Sequence, residues 1–192
     1  NLLIYYLILL WSIIGITKSS GFKNEDKKNN YFNVSIIVCV RNEESHLINI
    51  INDLISQIYN ANMEFIIVDD SVDSKFKEII NHYNNIDSRV KYVSSQFGDK
   101  ILSYKKKALD AGIKHAMYDY LLLTDVSCRL SKEWVSAMMH EYNYNADYVI
   151  GLSIVPHGKK IVSKFQKIDF MMLMLTTIGT TKLGFPLASK ND

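Results

Sequence analysis

The feature that most constrains this chain is an alternation of two periods. Val34, Ile36, Ile37, Val38 and Val40 form a β-branched run, and Leu47, Ile48, Ile51, Leu54, Ile55 and Ile58 then recur at helical spacing. The pattern repeats. Phe65 to Val68 reads as a strand before a helix carrying Phe76, Ile79, Ile80 and Tyr83, and Val90, Tyr92 and Val93 as a third strand before a stripe of Ala108, Leu109, Gly112, Ile113 and Ala116. Tyr120 to Leu123 is a fourth strand, followed by a helix with Trp134, Val135, Met138, Met139 and Tyr142, and Tyr148, Val149, Ile150 and Leu152 read as a fifth strand. Strands that alternate with helices predict an α/β fold with a mainly parallel sheet, helices on both faces and right-handed crossovers.

The strands end in charge. In such sheets ligands bind beyond the carboxyl ends of the strands, and here those ends carry Arg41-Asn42-Glu43-Glu44, Asp69-Asp70-Ser71-Val72-Asp73 and Asp125. Crowded acids raise one another's proton affinity unless a cation, donors or solvent relieve them, so such clusters are enriched at sites. A bland role stands beside each. Asp73 could cap the following helix, Asn42 or Ser45 could cap the first, Ser131 could cap the one after Asp125, and Asp125 itself could be a turn former. Lys105, Lys106 and Lys107 crowd the first turn of a helix, where the dipole disfavours cations. They are either a solvated face or neighbours of an anionic ligand.

Composition narrows the class. Twenty-two cations spread among twenty anions give a net charge of +2, which makes no case for nucleic acid. Cys39 and Cys128 have no C-x-x-C spacing, and the five histidines are scattered, so neither a zinc site nor a disulfide framework is expected. The first residues read differently. Leu2 to Ile16 is apolar apart from Ser12 and Gly15, and with residues upstream of Asn1 it would make a transmembrane helix, assigned to residues 1–17. Residues 18–32 are lysine, asparagine and acid, a solvated linker, and the lysine excess behind the span places that side in the cytoplasm. The expected location is the cell membrane, single-pass, with the domain of residues 33–192 inside. From Ile161 to Leu175 an apolar stretch is broken by Lys164, Lys167 and Asp169, which predicts a helix on the membrane surface or packed on the domain rather than a span.

Taken together, Val34 to Val40 with Arg41-Asn42-Glu43-Glu44, then Glu64 to Asp73, Lys107-Ala108-Leu109 and Leu121 to Cys128 resemble the family-two glycosyltransferases of GT-A fold, over about Val34 to Gly151. The resemblance implies a three-layer nucleotide-diphospho-sugar transferase fold. It also implies that Arg41, Asn42 and Glu43 line the nucleotide pocket, that Asp70 contacts the base, that Lys107 lies near the diphosphate and that Asp125 opens the metal-binding D-x-D. The partners so implied are a nucleotide-diphosphate sugar donor, Mg2+ or Mn2+, and a glycan or lipid acceptor, as in synthesis of a cell-envelope polysaccharide, with inversion at the anomeric carbon. Two departures stand out. Ser127 occupies the place of the second metal aspartate, and a hydroxyl ligates without supplying charge. The acceptor half with the general base is expected beyond Asp192, after a Gly184-Phe185-Pro186-Leu187 loop, so the piece in hand is expected to transfer no sugar, and no catalytic residue is assigned. A degenerate D-x-D also suits a protein that binds nucleotide sugars without turning them over. A receiver domain would put its paired acids after the first strand, and no G-x-G-x-x-G or P-loop is present.

Overall fold

Period-2 alternation sorts each buried strand between two faces, and the resulting faces can be read off the packing. The computed structural model describes residues 31–142, 148–151, 153–154 and 161–182, together with positions 6, 10, 11, 13, 14 and 17. Strand β1 (Val34–Val40) sends Ile36 and Val38 to one face and Ile37 to the other. Strand β2 (Met63–Asp69) does the same with Phe65 and Ile67 against Ile66 and Val68. On the first face they meet Leu47, Ile50, Ile51 and Leu54 of helix α1 (Glu44–Ile55), Ile80 of α2 (Lys77–Ile86), and Val135 and Met139 of α4 (Trp134–Tyr142). On the second they meet Ala108 and Ala111 of α3 (Tyr104–His115). Helices therefore cover both faces, the three layers expected.

The sheet is parallel throughout, in the order β3-β2-β1-β4, with β3 spanning Val90–Ser94 and β4 Tyr120–Asp125. This order contains a switch. The chain leaves β1 for β2 on one side, and after β3 it returns across the sheet to put β4 on the other side of β1. The carboxyl ends of β1 and β4, where Cys39 pairs with Asp125, thus flank the crevice that doubly wound sheets use for ligands. Helix α3 lies close on the second face because Gly112 has no side chain. A Cβ there would sit 2.6 Å from Cγ2 of Ile37 and 3.0 Å from Cγ2 of Val68.

The fifth strand does not form. Tyr148 to Gly151 carry no regular structure, and Leu152 lies outside the described residues. Tyr148 and Ile150 are exposed, and β-branched propensity without a pairing partner does not make a strand. The chain also divides there, into a compact unit of residues 28–149 that holds the sheet and a second unit built from residues 1–27 and 150–192. In that second unit α5 (Ile161–Lys182) is a helix where one was expected and runs seven residues past Leu175. At the amino end Tyr6, Leu10, Trp11, Ile13, Ile14 and Thr17 are helical, while the rest of the apolar run, the linker up to residue 30 and the Gly184 to Leu187 loop lie outside the described residues. Among the described residues no helix is both long and apolar enough to cross a membrane.

Candidate functional site

The end of β2 separates its acids into different jobs. Asp69, almost fully buried, accepts from the Ser71 amide at 2.9 Å, the Ser71 hydroxyl at 2.6 Å and the Phe76 amide at 3.3 Å. It is the anchor of the turn into α2. The cap expected from Asp73 does not form: Phe76 stands at the N-cap of α2 with no capping side chain, and its own amide is taken by Asp69. Likewise neither Asn42 nor Ser45 caps α1, which starts from Glu43 with no side-chain cap, and Ser131 meets the Trp134 amide with its carbonyl oxygen.

Asp70 is placed differently. Its amide donates to the Val40 carbonyl at 2.9 Å, which carries the residue past the pleat and beside the loop after β1. There its carboxylate lies 3.9 Å from Nη1 of Arg41. The space beyond is a solvent-open cavity of about 380 Å³, lined by Cys39, Val40, Arg41, Glu43, Asp70, Tyr104, Lys105, Asp125, Val126 and Ser127. Five of the residues expected from sequence thus meet in one place: Arg41, Glu43, Asp70, Asp125 and Ser127. Two do not line it. Asn42 sits between two lining residues with a positive φ of 59°, a conformation asparagine tolerates. Lys107 lies over Gly98, where an added Cβ would come within 2.0 Å of the Lys107 carbonyl oxygen and 2.8 Å of its Cγ.

Of the three lysines, Lys105 is the one that lines the cavity. Its ammonium forms an ion pair with Oδ1 of Asp125, and both side chains are more than half exposed. Tyr104, immediately before it, was not singled out by the sequence. The only available signal was an aromatic residue at the mouth of a lysine-rich first turn. Its φ is 51°, a left-handed value that costs an aromatic residue about 1–2 kcal/mol, and its ring lies 6.0 Å from the Arg41 guanidinium carbon.

Behind Asp125 the chain is tied down. The Cys128 amide closes a turn on the Asp125 carbonyl at 3.1 Å. One carboxylate, Asp53 of α1, then takes Arg129 through Nε at 2.7 Å and Nη2 at 2.9 Å, and the Leu130 amide at 3.0 Å. The Arg129 hydrogen bond holds Asp53 below the usual carboxylate range. Gln57 adds a second tie, donating to the Ser131 carbonyl at 2.7 Å and accepting from the Val135 amide at 3.0 Å. At the cavity floor burial pushes the Cys39 thiol up to about 12, Lys105 opposing and Asp70 and Asp125 adding to the rise. A thiol so held is protonated at neutral pH and is no nucleophile.

Among the described residues no three His, Cys, Asp or Glu side chains converge as a metal cage. What Asp125 and Ser127 offer is two hard oxygens on one short turn at the cavity wall. That fits a cation of the magnesium kind, which is held by one or two protein carboxylates and takes the rest of its shell from phosphate and water.

A parallel sheet with helices on both faces and a charged crevice at the switch point between β1 and β4 make a doubly wound α/β domain. The chain belongs to glycosyl transferase family 2, whose family model matches residues 35–188. Among solved structures it is similar to the mannosyltransferase PcManGT from Pyrobaculum calidifontis in complex with GDP-Man and Mn2+, at 17% identity and a TM-score of 0.53, over 78% of this chain and 48% of that one. It is also similar to S. aureus TarS 1-349, at 19% identity and a TM-score of 0.46, over 65% of this chain and 40% of that one. The chain thus spans about half the length of the mannosyltransferase or less of TarS. A search of curated protein sequences found no match.

Proposed function

We propose that this protein is an inverting glycosyltransferase that binds a nucleotide-diphosphate sugar with a divalent cation and passes the sugar to an acceptor hydroxyl. The observation that carries the reading is the division of labour along one cavity wall. Asp70, backed by Arg41, is a carboxylate ready to accept from a base N–H or a ribose hydroxyl, while Lys105 supplies a cation for phosphate oxygens. Asp125 and Ser127 would hold the cation, whose contribution when bound is to neutralise charge on the departing diphosphate. Lys105 then has two partners to choose between, Asp125 in the unliganded site and the diphosphate in the occupied one. Burial of Cys39 behind these groups keeps an apolar floor under them without adding a reactive group. The mannosyltransferase neighbour, in complex with GDP-Man and Mn2+, makes these the first donor and metal to try. An amino-terminal membrane anchor with the domain on the cytoplasmic side, where nucleotide sugars are made, completes the proposal.

A second reading, binding without turnover, is favoured by one fact: the residue two beyond Asp125 is a serine, so the metal pair has a single carboxylate. One experiment addresses the site under either reading. Nucleotide diphosphates are titrated with Mg2+ or Mn2+ and in chelator, on wild type, Asp125→Ala and Ser127→Asp. Nucleotide and metal should strengthen each other's binding, as linkage requires. Asp125→Ala should remove most of that coupling and Ser127→Asp should raise it. Equal binding in chelator, or no change in Ser127→Asp, would make Asp125 a turn residue and nothing more.

A further inference from the structure

We propose that Tyr104 is the platform on which the nucleobase stacks, a role that rests on the site reading just given. Consecutive residues of a helix diverge by about 100°, so a helix that presents Lys105 to a cavity ordinarily turns its predecessor away. Here both Tyr104 and Lys105 line the same wall. The left-handed φ of Tyr104 places it off the helical path at the start of α3. Glycine would adopt that conformation freely. A tyrosine there is strained, and the residue is 74% exposed, so packing within the protein does not repay the conformation.

What the ring does have is position. It neighbours two different chemistries: Arg41, whose guanidinium carbon is 6.0 Å from its centre and which pairs with Asp70, and Lys105, the next residue, which pairs with Asp125. A nucleoside diphosphate has the same order of parts, a flat base with N–H donors at one end and an anion at the other. Base edges suit Asp70, phosphate suits Lys105, and the base face needs an aromatic surface between them. An exposed ring in the cavity wall supplies that surface. Because every base has a π-face, the platform itself would not choose among bases, and selectivity would fall to the groups around Asp70.

The test is calorimetric titration with GDP, UDP and inorganic pyrophosphate in the presence of Mg2+, on wild type, Tyr104→Phe and Tyr104→Gly. Tyr104→Phe keeps the ring and should bind all three ligands within twofold of wild type. Tyr104→Gly relieves the backbone, so its thermal midpoint should not fall, yet it should bind GDP and UDP about tenfold more weakly, the modest end of what loss of a stacking surface produces. Pyrophosphate, having no base, should bind both variants as it binds wild type. Undiminished binding of GDP and UDP by Tyr104→Gly would overturn the proposal and leave the site reading intact. So would a matching loss of pyrophosphate, which would mean that Tyr104 acts by positioning Lys105. If wild type binds none of the three, the site reading itself fails, and the platform with it.

Discussion

Glu64 at the amino end of the sheet and the carboxylates that line the cavity at its carboxyl end are held in opposite ways. At the amino end Glu64 is nearly fully buried and every oxygen has a partner: Ser35 donates at 2.5 Å and the Met117 amide at 2.6 Å to Oε1, and Lys91 donates at 2.6 Å to Oε2. The Tyr118 amide then reaches the Ser35 hydroxyl at 3.1 Å, so this cluster joins β1, β2, β3 and the entry to β4. At the carboxyl end Asp125 is more than half exposed beside one exposed lysine, and Asp70 meets Arg41 only at 3.9 Å. A satisfied buried network fixes a structure. A row of charges whose partners are loose and wet holds capacity in reserve for a ligand.

The largest expected effect tests the first half of that contrast. Glu64→Ala strips the buried Ser35 hydroxyl and the part-buried Met117 amide of their acceptor and Lys91 of its partner, and should lower stability by about 2–3 kcal/mol, the cost of leaving such donors unpaired. Nucleotide affinity should be unchanged in the folded fraction. The carboxyl also leaves a mark on pH dependence. Burial alone would raise its pKa, but hydrogen bonds from Lys91, Ser35 and Met117 outweigh burial and hold it below the ordinary value of 4.5. A depressed native pKa means that this stabilisation is fully present above pH 4.5 and is lost as pH falls through the native value. Urea melts of wild type and Glu64→Gln between pH 6 and 3 should therefore converge toward the acid end. A constant gap across that range would show that Glu64 is not charged in the native protein.

Asp70→Ala should do the reverse. Arg41 is half exposed and can hydrate once its partner is gone, so the thermal midpoint should barely move. A carboxylate accepting from a base or ribose is worth about 1.5–3 kcal/mol, roughly a tenfold to hundredfold loss of nucleotide affinity. Calorimetry showing full affinity, or a melt showing a large drop in stability, would place Asp70 with Glu64 among the structural carboxylates and dissolve the contrast.

How far this contrast was legible in the sequence depended on the kind of signal. The two central strands announced themselves, because burial on both faces leaves unbroken apolar runs such as Ile36 to Val38 and Phe65 to Val68, whereas the equally apolar run of β4 buries Leu122 and leaves Leu121 and Leu123 exposed. Tyr148 to Leu152 showed the same local signal, yet a strand also needs a partner, which no local window reports. Strand ends gave Arg41, Glu43, Asp70, Asp125 and Ser127 to the cavity, since chain order and sheet polarity fix where those ends lie. Helix phase was the weak link. Three consecutive lysines offer three directions, and in the fold Lys105 reaches the cavity while Lys107 lies against Gly98. The acids of β2 were equally ambiguous: Asp69 and Asp70 are neighbours of one type, and the pleat sends one inward to a turn and the other out to the site.

Asp53 stands between the two extremes and carries the smallest prediction. It is mostly buried, like Glu64, yet its partner Arg129 is two-thirds exposed, like the groups at the site. Most of the ion pair is therefore screened, and what Asp53 chiefly supplies is an acceptor for the Leu130 amide, on the segment that leaves Asp125 and Ser127. Asp53→Asn keeps the size and one acceptor oxygen but loses the charge and the bidentate hold on Arg129. Stability should fall by about 1 kcal/mol. Metal-dependent nucleotide binding should weaken only about twofold, because Gln57 still fastens the chain through Ser131 and Val135. The double variant Asp53→Ala with Gln57→Ala removes both ties and should lose more affinity than Asp53→Ala and Gln57→Ala taken singly and summed. Strictly additive losses in that cycle would mean that the turn after β4 holds its shape unaided, through the Cys128 amide on the Asp125 carbonyl, and that the site at this end of the sheet needs no support from α1.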